Sequence, residues 1–166
     1  LYIQFNRGVK FMTHKNTVLK HIELGNNLKI DKYNFLYRSI RIYLATPYSV
    51  GGINTSDIKQ FNFEHVSKVA GKLMDMGYVV YSPVSQNHPI SIYGNLKDRD
   101  LDFWLIQDLP FIEFCDVLCI LMLPGWNISP GVKKEIEYAT ELGKDIYYIN
   151  YKNNELTFFQ YEAIDL

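Results

Sequence analysis

The sequence predicts an α/β fold in which a mostly parallel sheet carries helices on both faces. Three observations lead there: strongly apolar runs of strand length recur, segments with helical apolar spacing separate them, and Pro-, Gly- and Ser-rich loops divide the two. A chain of 166 residues, 48% of them hydrophobic, is long enough for one such domain with a substantial core.

The first strand is "IRIYLAT" (40–46), rich in β-branched and aromatic residues and halted by Pro47. The loop "PYSVGGINTSD" follows, and Thr55, Ser56 or Asp57 can cap the next helix. From about 57 to 76, Ile58, Phe61, Val66, Val69, Ala70, Leu73 and Met74 fall near helical spacing, and Gly77 supplies a stop. "YVVYSPV" predicts a second strand breaking at Pro83, and "SQNHPISIYGN" a polar loop. "LKDRDLDFWLIQDLPFIEF" has helical spacing but contains Pro110, which should break or restart the helix and leave Asp108 at a junction.

"DVLCILML" (116–123) is apolar almost throughout, as a central strand covered on both faces should be. In "PGWNISPGVKKEIEYA", Ser129 can cap a helix that Pro130 opens and Gly143 ends, and "DIYYINY" gives a further strand. The alternation is Rossmann-like, in the flavodoxin-like sense of an open sheet, over residues 39–151. An N-terminal extension (1–38) and a C-terminal tail (152–166) flank it.

The formal charge of −1 gives no general case for a nucleic-acid or membrane surface. The extension is nonetheless basic, holding seven of the 17 Lys/Arg (Arg7, Lys10, Lys15, Lys20, Lys29, Lys32 and Arg38) against Glu23 and Asp31. It reads as a solvated or subunit-packing segment, or as an arm for a partner. Cys115 and Cys119 sit in or beside an apolar run and suit small core residues in a reducing compartment, so a cytoplasmic location is expected. No apolar run approaches bilayer-spanning length and no signal-peptide pattern opens the chain. "SVGG" is neither a dinucleotide fingerprint nor a phosphate loop, and His14, His21, His65 and His88 lack metal-ligand spacing, so no metal and no organic cofactor is expected.

One charge breaks the pattern of the helix after Ser129. Val132, Ile136, Ala139 and Gly143 share a face; with Val132 at zero, Lys133, Lys134, Glu137, Glu141 and Lys144 project between about 100° and 200°, whereas Glu135 lies near ~300°, beside the buried stripe. Glu135 is either a surface residue at the margin of that face or a site residue. The preceding loop leaves the carboxyl end of a central strand, where open α/β sheets bind ligands, and the helix N-terminus around Ser129 and Gly131 is favourable for phosphate. His88, in "QNHPI", is either an ordinary loop histidine or part of the same site.

"YLATPYS", "DLPFIEFCDV" and "SPGVKKEIEYATELGK" together resemble the nucleoside 2-deoxyribosyltransferase superfamily over about 40–150. That superfamily includes 2′-deoxynucleoside 5′-monophosphate N-hydrolases and small uncharacterised phage and bacterial members. The resemblance implies a catalytic set of Glu135, Asp108 and Tyr43. Glu135 resembles the nucleophile that attacks the anomeric carbon, Tyr43 the residue that orients it, and Asp108 the one that contacts the sugar and assists proton transfer to the leaving base. From residue pattern alone, Tyr43 could equally be a core tyrosine and Asp108 a helix cap. Ser129 stands where deoxyribosyltransferases carry an Asp, as in the monophosphate hydrolases, where the serine meets the 5′-phosphate. The hydrolases' basic residue in the first-strand loop has no counterpart in "TPYSVGG". Ala45, Pro47, Gly131, Asn127, His88 and Trp126 complete the expected substrate-binding set, with Trp126 either stacking on a base or covering the helix.

The function expected is cleavage of the N-glycosidic bond of a (deoxy)nucleotide or nucleoside through a covalent glycosyl-enzyme intermediate, by a homo-oligomer. A non-catalytic nucleotide-binding or sensor domain is the alternative, supported by the missing basic residue. A DNA- or protein-binding accessory factor has only the basic extension in its favour.

Overall fold

In the computed structural model, which describes residues 40–160 except 51, 52 and 54, strand β1 (Arg41–Ala45) leads through Thr55 into helix α1 (Ser56–Asp75). Strand β2 (Val79–Tyr81) and helices α2 (Pro83–Tyr93) and α3 (Leu101–Phe114) follow. Strand β3 (Val117–Leu121), a single 3-10 turn (Trp126–Ile128), helix α4 (Pro130–Glu141), and strands β4 (Asp145–Lys152) and β5 (Glu155–Gln160) complete the described chain. The basic extension over 1–38 and the last six residues of the expected tail lie outside the described residues.

The sheet order is β2-β1-β3-β4-β5, parallel except for β5, which runs antiparallel to β4. Alternation along the strands sorts side chains into two cores. Ile42, Leu44, Val117, Cys119 and Ile149 pack with Val66, Val69 and Leu73 of α1. Tyr43, Ala45, Leu118 and Ile120 pack on the opposite face with Ile112 of α3 and Val132 and Ala139 of α4. The expected Rossmann-like sheet with helices on both faces is therefore the fold. At the lower end of the sheet, Arg41 ties β1 to the start of β3, its backbone N–H and guanidinium all donating to the Asp116 carboxylate. Among the described residues, no helix is long and apolar enough to cross a membrane.

Three local expectations need correction. The segment expected to be a polar loop after Pro83 is helix α2, with Ser82 as its cap and Pro83 in its first turn. Its buried stripe is Val84, His88 and Ser91, so two of three inward positions are polar and the apolar period is hidden. Pro110 does not break α3, which runs unbroken through it. The carbonyl that Pro110 leaves without a helical donor belongs to Ile106, whose residue is 72% exposed, so water can satisfy it. Asp108 consequently sits inside a helix rather than at a junction or cap. Finally, part of the expected tail is strand β5, whose "ELTFFQ" alternates only weakly because it is a half-exposed edge.

The order places a reversal of winding at β1 and β3: the chain leaves β1 through α1 toward β2, then returns through α2 and α3 to β3 on β1's other side. Ligands bind at the carboxyl ends of such strands, because the diverging connections leave a crevice there.

Candidate active site

A cavity of about 780 Å³ opens at that crevice, lined from three strand ends by Thr46 after β1, Pro83 after β2 and Ser129 after β3. Gly125, in the left-handed conformation with φ 85°, turns the chain from β3 toward α4. Ser129 then caps α4, its Oγ accepting from the Val132 N–H at 3.4 Å, and Glu135 is carried one and a half turns further along the helix.

Glu135 is 7% exposed and lies on the cavity wall. The Tyr43 hydroxyl donates to its Oε1 at 2.7 Å, a contact between β1 and α4 that spans 92 positions of sequence. Tyr43 is fully buried on the α3 and α4 side of the sheet, so the phenol is held from behind the carboxyl rather than from the cavity. Burial pushes the Glu135 carboxyl up to about 8; the Tyr43 hydrogen bond opposes that rise and the Asp108 charge adds to it. Burial next to Glu135 likewise raises the Tyr43 hydroxyl well above its ordinary value, which keeps it a donor.

Asp108 is the second buried carboxyl of the wall. Its Oδ1 accepts from the Tyr81 hydroxyl at 2.8 Å and from Asn87 Nδ2 at 2.8 Å, and its Oδ2 from the same amide at 3.0 Å. Desolvation raises its proton affinity and these two donors hold it back. Tyr81 is itself fixed by stacking on Phe111, centroids 3.8 Å apart. Each carboxyl thus has its own phenol, and a cavity ligand would meet both.

Of the residues expected from sequence, Glu135, Asp108, Ser129, Gly131 and His88 line this cavity, and Tyr43 stands behind Glu135. Four others do not line it. Ala45 packs into the core below α4, as its place on the inward side of β1 requires. Pro47 is buried outside the wall. Trp126 lies edge-on to Tyr148 at 4.9 Å and covers the sheet, and Asn127 is exposed on the 3-10 turn. The cavity also recruits residues that sequence reading missed: Asn87 at Asp108, Thr46 and Tyr48 after β1, Gln60 on α1, and the cations Lys59, Lys97 and Arg99. Asp57 and Asp100 share that wall, so its charge is mixed. Asn87 had no visible signal because α2 itself was hidden.

Among the described residues, no group of His, Cys, Asp and Glu could hold a metal ion, and both cysteines are free and buried. No curated protein matches the chain. Residues 40–151, more than half of the sequence, match the family described as a domain of unknown function (DUF1937), and the chain belongs to that family.

Proposed function

We propose that the protein cleaves the N-glycosidic bond of a (deoxy)nucleotide or nucleoside by double displacement, with Glu135 as the nucleophile. The family match carries no activity, so the reading rests on the cavity and on the resemblance of its motifs to deoxyribosyltransferases. One observation carries it: a buried carboxyl, gripped at one oxygen by Tyr43, stands on the same cavity wall as a second carboxyl with its own donors.

Tyr43 occupies Oε1, leaving Oε2 of Glu135 to attack the anomeric carbon. As the new C–O bond forms, the glycosidic C–N bond breaks and its electron pair goes to the base nitrogen. The Asp108 carboxyl supplies a proton to the departing base. Water, or the N–H of a second base, then loses a proton to the Asp108 carboxylate as it attacks the same carbon, the ester bond to Glu135 breaks, and both carboxyls return to their starting forms. The cationic character of the transition state favours the ionised form of Glu135, which burial by itself disfavours. This chemistry calls for no metal and no organic cofactor.

A 5′-phosphate suits the α4 N-terminus, where the Ser129 hydroxyl and the Gly131 N–H are available and Lys97 and Arg99 line the same cavity. These cations supply from the α2–α3 connection what the β1 loop lacks. Self-association belongs to the same reading: α3 exposes Ile106 and Phe114, at 72% and 61%, as apolar surface for a second copy. The free, buried cysteines suit a cytoplasmic protein.

The test is release of free base, followed by chromatography, from a panel of nucleosides and 5′-monophosphates. Release that disappears in Glu135→Gln supports the reading. Tight nucleotide binding with no release by the parent protein would instead make the domain a nucleotide sensor.

A further inference from the structure

Beside the cavity, which Tyr48, Gln60 and His88 line, four side chains are joined in a chain whose hydrogen-bond polarity can be assigned from one end. Gln60 Nε2 donates to Glu64 Oε1 at 2.8 Å, and a carboxylate can only accept, which fixes the Gln60 amide. Its Oε1 therefore faces His88 Nε2 at 3.1 Å as an acceptor, so the His88 proton sits on Nε2. His88 Nδ1 is then a lone pair, and the Tyr48 hydroxyl, 2.9 Å away, spends its one proton there. Ser91 directs its own hydroxyl to the His88 carbonyl at 2.8 Å. The His88 ring is also stacked on Phe63, centroids 4.5 Å apart, so it cannot readily turn over. Burial and Lys59 both disfavour protonated His88, in keeping with this neutral tautomer.

Tyr48, lining the cavity, has the Ser91 hydroxyl as a second neighbour on its oxygen, which leaves it a lone pair for a ligand and no hydrogen to offer. Close to it in sequence is a second polar group with an unmet need: the Thr46 hydroxyl lines the same cavity, is buried, and has no hydrogen-bond partner among the described residues. A buried orphan hydroxyl on a cavity wall is a position that a ligand atom completes.

We propose that Tyr48 and Thr46 form the base-reading wall of the site, and that Tyr48, held as an acceptor through His88 and Gln60, selects bases bearing an exocyclic amine. The proposal rests on the N-glycosidase reading and deepens it. An amine donates to the Tyr48 oxygen, whereas a keto oxygen at that place faces lone pairs with no proton between them. A site built to take a donor rejects the analogue that lacks one, because its own acceptor is then desolvated without a partner. Thr46 can donate or accept and completes the contact without adding selectivity.

The experiment is calorimetric titration of the Glu135→Gln protein, in which binding is separated from turnover, with four 2′-deoxy 5′-monophosphates: adenine against hypoxanthine, and cytosine against uracil. Within at least one pair, the amine-bearing member should bind about tenfold more tightly. Adding Tyr48→Phe should bring that ratio to within about twofold, and Thr46→Val should weaken both members of the pair by a similar factor. Thermal melts verify folding; if Tyr48→Phe does not fold, Gln60→Leu is the second variant, since it releases the His88 tautomer from an exposed helix position. Equal binding within both pairs, or a preference untouched by Tyr48→Phe or by Gln60→Leu, overturns the base-reading wall while leaving N-glycosidase chemistry standing. Failure of all four nucleotides and of their nucleosides to bind overturns both.

Discussion

A carboxyl group shut away from water keeps its proton, and Glu135 is held up to about 8 for that reason. Two outcomes follow, of opposite sign for stability and activity. The unfolded chain releases this proton near 4.5, so the stability it contributes is whole below that pH and is lost as pH rises toward 8. Glu135→Gln has no proton to lose; its stability should overtake the parent's through that window, by on the order of 3 kcal/mol at pH 7. Urea unfolding of both proteins at several pH values measures this. Activity runs the other way: an attacking carboxylate must be ionised, so kcat/KM for base release should climb as pH approaches 8. Tyr43→Phe removes the hydrogen bond that opposes the raised value, so the rising limb should move to higher pH and kcat at neutral pH fall about tenfold or more, with KM little changed. An unmoved limb would make Tyr43 merely structural. Glu135 was legible in the sequence as the one charge beside the apolar face of its helix. Its tie to Tyr43 was not, because no local pattern encodes a contact across 92 positions, and it entered through resemblance alone.

At the scale of single elements, the helices that carry the site differ in how firmly they are started. The Asp100 carboxylate accepts from the Phe103 N–H at 2.9 Å at the head of α3, whereas Ser129 reaches the Val132 N–H only at 3.4 Å at the head of α4. Asp100→Ala should therefore cost about 1 kcal/mol of stability and Ser129→Ala clearly less. If Ser129 meets a phosphate, Ser129→Ala should reduce the preference for a 5′-monophosphate over its nucleoside by about 1.5–3 kcal/mol, read as the ratio of their kcat/KM values. The α4 helix was legible from its cap, its Pro and its stop. Helix α2 was not, since His88 and Ser91 take inward places that an apolar period would have marked, and Pro89 inside it argued against a helix altogether. The polar stripe that hid α2 is the same one that supplies the cavity with His88.

The whole molecule joins these pieces through strand order. A parallel sheet reversing at β1 and β3 brings Tyr43, Asp108 and Glu135 to one end although they come from three different elements. Strands β1 and β3 were legible because they are buried on both faces and read as continuous apolar runs; β5 escaped because an edge strand half open to solvent has no such run. The cavity's cations escaped too, because Lys97 and Arg99 lie in a connection whose neighbours in space are set by α2 and α3. The apolar outer surface of α3 bears on assembly: light scattering at micromolar concentration should give a mass above one chain, and Ile106→Glu with Phe114→Glu should reduce it to a monomer, since both side chains are exposed and neither lies in the core.

Covalent attack by Glu135 is the central claim, and mass measurement of the protein quenched in acid during reaction with its best nucleotide, intact and after digestion to peptides, tests it most directly. The parent should gain the mass of one sugar or sugar-phosphate residue on the peptide containing Glu135, and Glu135→Gln should bind the same nucleotide without gaining it. Substantial base release by a verified Glu135→Gln protein, or an adduct on another residue, would contradict the assignment.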